Sequence, residues 1–146
     1  MSSDKYDSLK IENQLCFPLY AASREMIKQY KPFLDAIELT YTQYIAMLIL
    51  WEKRSVNVKE LGCRLFLDSG TLTPLLKKLE AKGLVTRRRS SRDERNLIVE
   101  ITDEGKALKD RALAIPAGMA KCLVLNADEA LTLYRLLYKM LGREVL

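Results

Sequence analysis

A chain of 146 residues, 49% apolar and 29% charged, suits one compact globular domain and excludes a disordered or low-complexity polypeptide. No apolar run approaches the ~18 residues of a membrane helix, and the N-terminal MSSDKYDSLK lacks the apolar core of a secretory signal, so a cytoplasmic protein is expected. There is no histidine and no CxxC pair, so no metal or other cofactor is expected; Cys16, Cys63 and Cys122 are too widely spaced for a disulfide framework.

The net charge of +5 is concentrated in one segment. Between Lys77 and Arg95 lie eight cations (Lys77, Lys78, Lys82, Arg87, Arg88, Arg89, Arg92 and Arg95) and three anions (Glu80, Asp93 and Glu94), a balance of +5. The rest of the chain is therefore neutral on balance. A neutral body with one arginine-rich segment points to contact with a polyanion.

In chain order, residues 9–30 carry Leu15, Leu19, Ala22, Met26 and Tyr30 at helical spacing. Pro18 means that this helix either begins near Phe17 or bends there, and Pro32 is expected to end it. Thr40 is a candidate cap for a helix over 41–52, with Tyr44, Met47, Leu48 and Trp51 on its apolar stripe. Residues 53–56 are expected to turn. A short helix follows over Val58–Leu65, with Cys63 packed inside it. Leu72, Leu75, Leu76 and Leu79 then mark one face of another helix, with Gly83 as its C-terminal cap.

Leu84–Arg88 and Leu97–Ile101 are two extended runs around a polar tip, which predicts a hairpin. Thr102 caps a further helix, which Pro116 and Gly118 interrupt. Asn126-Ala-Asp-Glu129 resembles a capping box and opens a last helix. That helix is apolar on several sides, so it is either a central core helix or half of a dimer interface, the second being expected in so short a chain.

Helix, turn, helix and basic hairpin in that order make a winged helix-turn-helix: mainly α, with a small β-hairpin wing. With the four leucines inward, Ser69, Thr71, Thr73 and Lys77 lie on the outer side of the second helix, where they can reach base edges and phosphates. Arg87, Arg89, Arg92 and Arg95 extend the basic surface along the wing towards phosphates or the minor groove. Asp93 and Arg95 are placed to pair on one side of the hairpin and stiffen it.

The stretch from Leu67 to Arg87, the Arg92-DERN wing and the following Leu97-IVEITDEG resemble the MarR family of dimeric regulators. Leu15-CFPLYAASREM, Tyr30-KP and Leu39-TYTQY are similar to its organic hydroperoxide-sensing repressors. The resemblance covers most of the chain up to about Pro116. It implies one domain over 1–146, with 56–102 as the DNA-binding part and 9–32 and 103–146 as dimerisation helices. It further implies a homodimer on a pseudo-palindromic DNA operator, no catalytic turnover, and DNA contacts at Ser69, Thr71, Thr73 and Arg95.

On residue chemistry alone Cys16 is either an inert core thiol or a reactive one: it lies near a helix N-terminus, where the dipole favours a thiolate. The resemblance selects the redox sensor and implies that Tyr20, Tyr30 and Tyr41 surround the thiolate, from one subunit or both. Oxidised Cys16 is expected to be resolved by Cys122 of the other subunit, by a mixed disulfide with a small thiol, or by overoxidation. A competing expectation is release of DNA by a small phenolic ligand, with Cys16 a bystander.

Overall fold

Helix α1 (Cys16–Asp35) is the first long element of the computed structural model, which describes residues 4–143. Two single turns of 3-10 helix, Asp7–Leu9 and Ile11–Asn13, precede it. Pro18 is its third residue, where a missing N–H has no intrahelical acceptor to lose, so the helix begins at Cys16 without a bend. The expectation for Pro32 is corrected: α1 runs through it to Asp35. Burial of Leu34 in the last turn and Ile37 just beyond outweighs one lost hydrogen bond near a helix end.

Thr40 caps α2 (Tyr41–Lys53) through a capping box with Gln43: the Gln43 amide donates to the Thr40 hydroxyl at 3.3 Å, and the Gln43 side chain accepts from the Thr40 amide at 3.1 Å. Tyr44, Met47 and Leu50 face the core; Leu48, placed on the stripe by the sequence, is exposed. The turn expected over 53–56 is only partly one. Arg54 turns at a positive φ of 65°, but Ser55–Asn57 form β1, an edge strand pairing antiparallel with the strand Leu97–Ile101 (Ser55↔Glu100, Val56↔Val99, Asn57↔Ile98). Three residues are too few to show a period, and the strand exists because Val56 buries against the sheet.

α3 (Val58–Leu65) and α4 (Ser69–Ala81) form the helix-turn-helix. Gly62 permits their close approach: a β-carbon there would stand 2.8 Å from the Leu67 carbonyl oxygen. Leu72, Leu75, Leu76 and Leu79 point inward onto Leu61, Val85 and Val99, the centre of the core. Gly83, at φ +74°, ends the unit as expected. β2 (Val85–Arg89) and β3 (Leu97–Ile101) complete a sheet of order β1-β3-β2, with Val85↔Ile101 and Arg87↔Val99 in register.

α5 (Asp103–Ala112) is capped by Thr102, whose hydroxyl accepts from the Gly105 amide at 3.0 Å and donates to the Gly83 carbonyl at 2.6 Å. The Trp51 indole donates to the Gly105 carbonyl at 2.8 Å and ties α2 to the same corner. The break after α5 falls at Leu113. Pro116 and Gly118 lie inside α6 (Ala114–Cys122): Pro116 falls in its first turn, and Gly118 packs on the Phe33 ring of α1. The Asn126 capping box is present and opens α7 (Ala127–Met140), which buries no residue within the chain.

Candidate nucleic-acid interface and sensor region

The recognition surface begins with a cap. Asp68 accepts the Thr71 backbone amide at 2.7 Å, and that bond, together with the Thr71 hydroxyl, holds its carboxyl below the usual range. Because Asp68 is the cap, Ser69 and Thr71 are not needed for that role. Ser69, Thr71, Thr73 and Lys77 are all exposed on the outer side of α4, as the leucine spacing requires.

The wing tip is stapled by its own polar groups. The Ser90 amide donates to the Asn96 carbonyl at 2.7 Å, and the Arg89 guanidinium to the Glu94 carbonyl at 2.8 Å. Asp93 stiffens the turn by a different bond from the one expected: its carboxylate accepts the Arg95 backbone amide at 3.0 Å, not the Arg95 guanidinium. That leaves the Arg95 side chain pointing free. No salt bridge among the described residues engages Lys77, Arg92 or Arg95.

Arg87 is different. Its guanidinium is held at 3.0 Å by Glu80, on the last turn of α4, and Arg88 stands 3.6 Å from Glu100. Arg87, expected among the DNA contacts, fastens the wing to the recognition helix instead. An anion seven residues earlier, one helix-to-strand turn away, was the available clue. Lys82 likewise turns from the basic surface to the α1–α2 joint, where its ammonium donates to the Glu38 carbonyl and lies 3.3 Å from the Gln43 side-chain oxygen.

Cys16 is exposed as the first residue of α1, among exposed Leu15, Phe17 and Tyr20. Tyr20, one turn on, accepts a hydrogen bond from Arg24 at 2.7 Å. Tyr30 and Tyr41 are not beside Cys16 in the same chain. Fourteen residues of helix put Tyr30 about 21 Å along α1 from Cys16. The two phenols pack together at 4.9 Å between ring centres, with Tyr44 as a third ring at 5.9 Å from Tyr30. Tyr44, three residues after Tyr41 on one helix face, is a member of the cluster that the resemblance does not name. Burial raises the pKa of all three, which keeps them protonated hydrogen-bond donors.

Cys122 ends α6, half-buried, with its thiol 3.5 Å from the Gly118 carbonyl. Gly118 touches Phe33, about 25 Å along α1 from Cys16, so the α-carbons of the two cysteines in one chain stay about 10 Å or more apart and beyond disulfide reach. Cys63 is exposed rather than buried: Arg143 lies over the Phe66 ring and donates to the Cys63 carbonyl and sulfur, the latter at 3.2 Å.

Residues 28–112 match the family described as transcriptional regulator SarA/Rot. The organic hydroperoxide resistance transcriptional regulator of Bacillus subtilis is 49% identical over 138 residues, 94% of each chain. Reduced AbfR bound to DNA is 34% identical and aligns over 95% of this chain and 97% of its own with a TM-score of 0.78. AbfR, from Staphylococcus epidermidis, is also known overoxidized on DNA and in a disulfide-formed state. A mutant MarR of E. coli complexed with operator DNA is 26% identical, with a TM-score of 0.78 over 95% of this chain and 99% of its own. The chain belongs to the MarR family of winged-helix transcription regulators, in the branch of the organic hydroperoxide resistance regulators.

Proposed function

We propose that this protein is a cytoplasmic, homodimeric repressor that leaves its pseudo-palindromic operator when an organic hydroperoxide oxidises Cys16. The observation that carries the reading is the pairing of a free reading face (Ser69, Thr71, Thr73, Lys77, with Arg92 and Arg95 in a wing whose tip Arg89 staples) with an exposed cysteine as the first residue of the longest helix. That cysteine stands at the positive end of the α1 dipole, which attracts negative charge.

Dimerisation is supported by the apolar surface that one chain leaves uncovered. Leu15 is 82% and Val124 99% exposed, and α7 presents Leu131, Leu133, Tyr134, Leu136 and Met140 to solvent. A second copy docked there covers these residues and brings the partner subunit's Tyr30 and the partner subunit's Tyr41 to Cys16, a meeting that one chain does not permit. Tyr20 completes the setting from the same helix.

The chemistry is stoichiometric rather than a turnover. The thiolate sulfur attacks the terminal peroxide oxygen, the O–O bond breaks and an S–O bond forms. Sulfur becomes sulfenic acid, and the alkoxide leaving group takes a proton to become the alcohol. A second thiol then displaces water to form a disulfide, either Cys122 across the subunit boundary or a small cellular thiol. Two recognition helices must match half-sites at fixed spacing, so a shift at the dimer interface releases the operator.

Release by a phenolic ligand is less well supported. The groove that would hold one, between Ile37, Leu84 and Leu108, has both its cations, Lys82 and Arg111, already bonded to backbone carbonyls. An operator mobility-shift assay of wild type and Cys16→Ser, with and without cumene hydroperoxide, tests the proposal. Wild type is expected to lose the operator and Cys16→Ser to retain it. Release of both proteins to the same degree refutes the sensor assignment.

A further inference from the structure

The joint between α1 and α2 carries a contact that neither DNA reading nor peroxide chemistry uses. α1 closes with the Leu39 amide on the Leu34 carbonyl and the Glu38 amide on the Asp35 carbonyl, both at 3.1 Å, with Glu38 left-handed at φ 55°. Two carbonyls beyond this closure remain without helical partners, and each takes a cation from far along the chain. Arg111, in the last turn of α5, donates to the Ala36 carbonyl. Lys82, the residue immediately after α4, donates to the Glu38 carbonyl. The Lys82 ammonium also stands 3.3 Å from the side-chain oxygen of Gln43, which is 4% exposed and caps the Thr40 amide at 3.1 Å.

Lys82 therefore joins the end of the recognition helix to the end of the helix that begins at Cys16. α1 is a single helix of 20 residues, about 30 Å long, so displacement of one end is felt at the other. The negative end of its dipole attracts both cations, which makes the joint an ion–dipole grip as well as a set of hydrogen bonds. We propose that Lys82, with Arg111 holding the same joint from α5, is the positioning residue that transmits movement of α1 to the recognition helix. The inference rests on Cys16 being the sensor.

The test measures operator affinity by fluorescence anisotropy, before and after cumene hydroperoxide, with Cys16 oxidation followed by mass spectrometry in the same samples. Lys82→Met keeps the aliphatic stem and removes the donor; Lys82→Arg keeps a donor. Lys82→Met is expected to oxidise at Cys16 like wild type and to bind DNA within about threefold of it when reduced, while the oxidised-to-reduced affinity ratio shrinks roughly tenfold. Lys82→Arg is expected to restore the ratio, and Arg111→Met to reduce it in the same direction. If Lys82→Met weakens reduced and oxidised binding by one common factor, or Arg111→Met leaves the ratio untouched, the coupling role is wrong. Failure of the sensor assignment itself appears separately, as retention of the operator by oxidised wild type.

Discussion

Glu80 holds Arg87 twice: one carboxylate oxygen accepts the guanidinium at 3.0 Å and the other accepts the Arg87 backbone amide at 2.9 Å. The guanidinium holds the Glu80 carboxyl below the usual carboxylate range. The pair sets the angle between recognition helix and wing, which must enter neighbouring grooves together. Glu80→Ala is expected to weaken operator binding roughly tenfold while the protein stays folded, because the contacts persist but their relative positions are no longer fixed. Circular dichroism and an anisotropy titration check this together. Unchanged affinity would mean that the wing holds its angle without Glu80.

Exposed hydroxyls and wing arginines separate by the kind of loss they cause. Thr73→Ala is expected to cost specific binding by about 1–3 kcal/mol with little effect on non-specific DNA. Arg92→Ala and Arg95→Ala are expected to weaken binding to many sequences and each to lower the salt slope by about 1. Titrations against specific and scrambled duplexes at several salt concentrations distinguish the two patterns.

The three packed phenols, Tyr44 buried and Tyr30 and Tyr41 half-buried, make stability sensitive to alkali. Tyr30, Tyr41 and Tyr44 have pKa values raised by burial, and those of Tyr41 and Tyr44 are raised further by neighbouring phenols. A raised value means that the folded chain keeps protons which the unfolded chain releases. Their stabilisation is thus complete below the unfolded value of about 10 and is lost as pH rises through the folded values. Tyrosinate absorbance is expected to show late titration for these three and for Tyr134, whose pKa its hydrogen bond to Tyr138 also raises, and the melting temperature to fall as pH rises above about 10.

A disulfide between Cys16 and Cys122 has to cross the subunit boundary, since one chain keeps them apart. Non-reducing electrophoresis after cumene hydroperoxide is expected to give a covalent dimer in wild type and none in Cys122→Ser. A dimer band that survives Cys122→Ser would assign the bond to another cysteine.

Much of this architecture was legible because local chemistry and burial agree. Thr40 and Asn126 announce their helices with capping residues, and the four leucines of α4 fix which side faces DNA. Elements made by distant contacts were not legible. β1 depends on a partner strand some forty residues away, and Pro32 stays helical because Leu34 and Ile37 bury. Charge was read correctly as a total but not residue by residue. Arg87 and Lys82 belong to the basic segment by sequence, yet one serves the wing hinge and the other the α1–α2 joint. The phenols belong near Cys16 on resemblance, and helix length shows that they do not reach it within one chain.

On the proposed mechanism, operator release follows the oxidation of Cys16 and nothing else. The most direct measurement follows operator anisotropy and Cys16 modification, by intact mass and peptide mapping, in one reaction as cumene hydroperoxide is added in substoichiometric steps. Operator loss is expected to rise in proportion to oxidised Cys16, with Cys16→Ser remaining bound throughout. Operator loss that precedes Cys16 oxidation, or a fully oxidised Cys16 on a still-occupied operator, would contradict it.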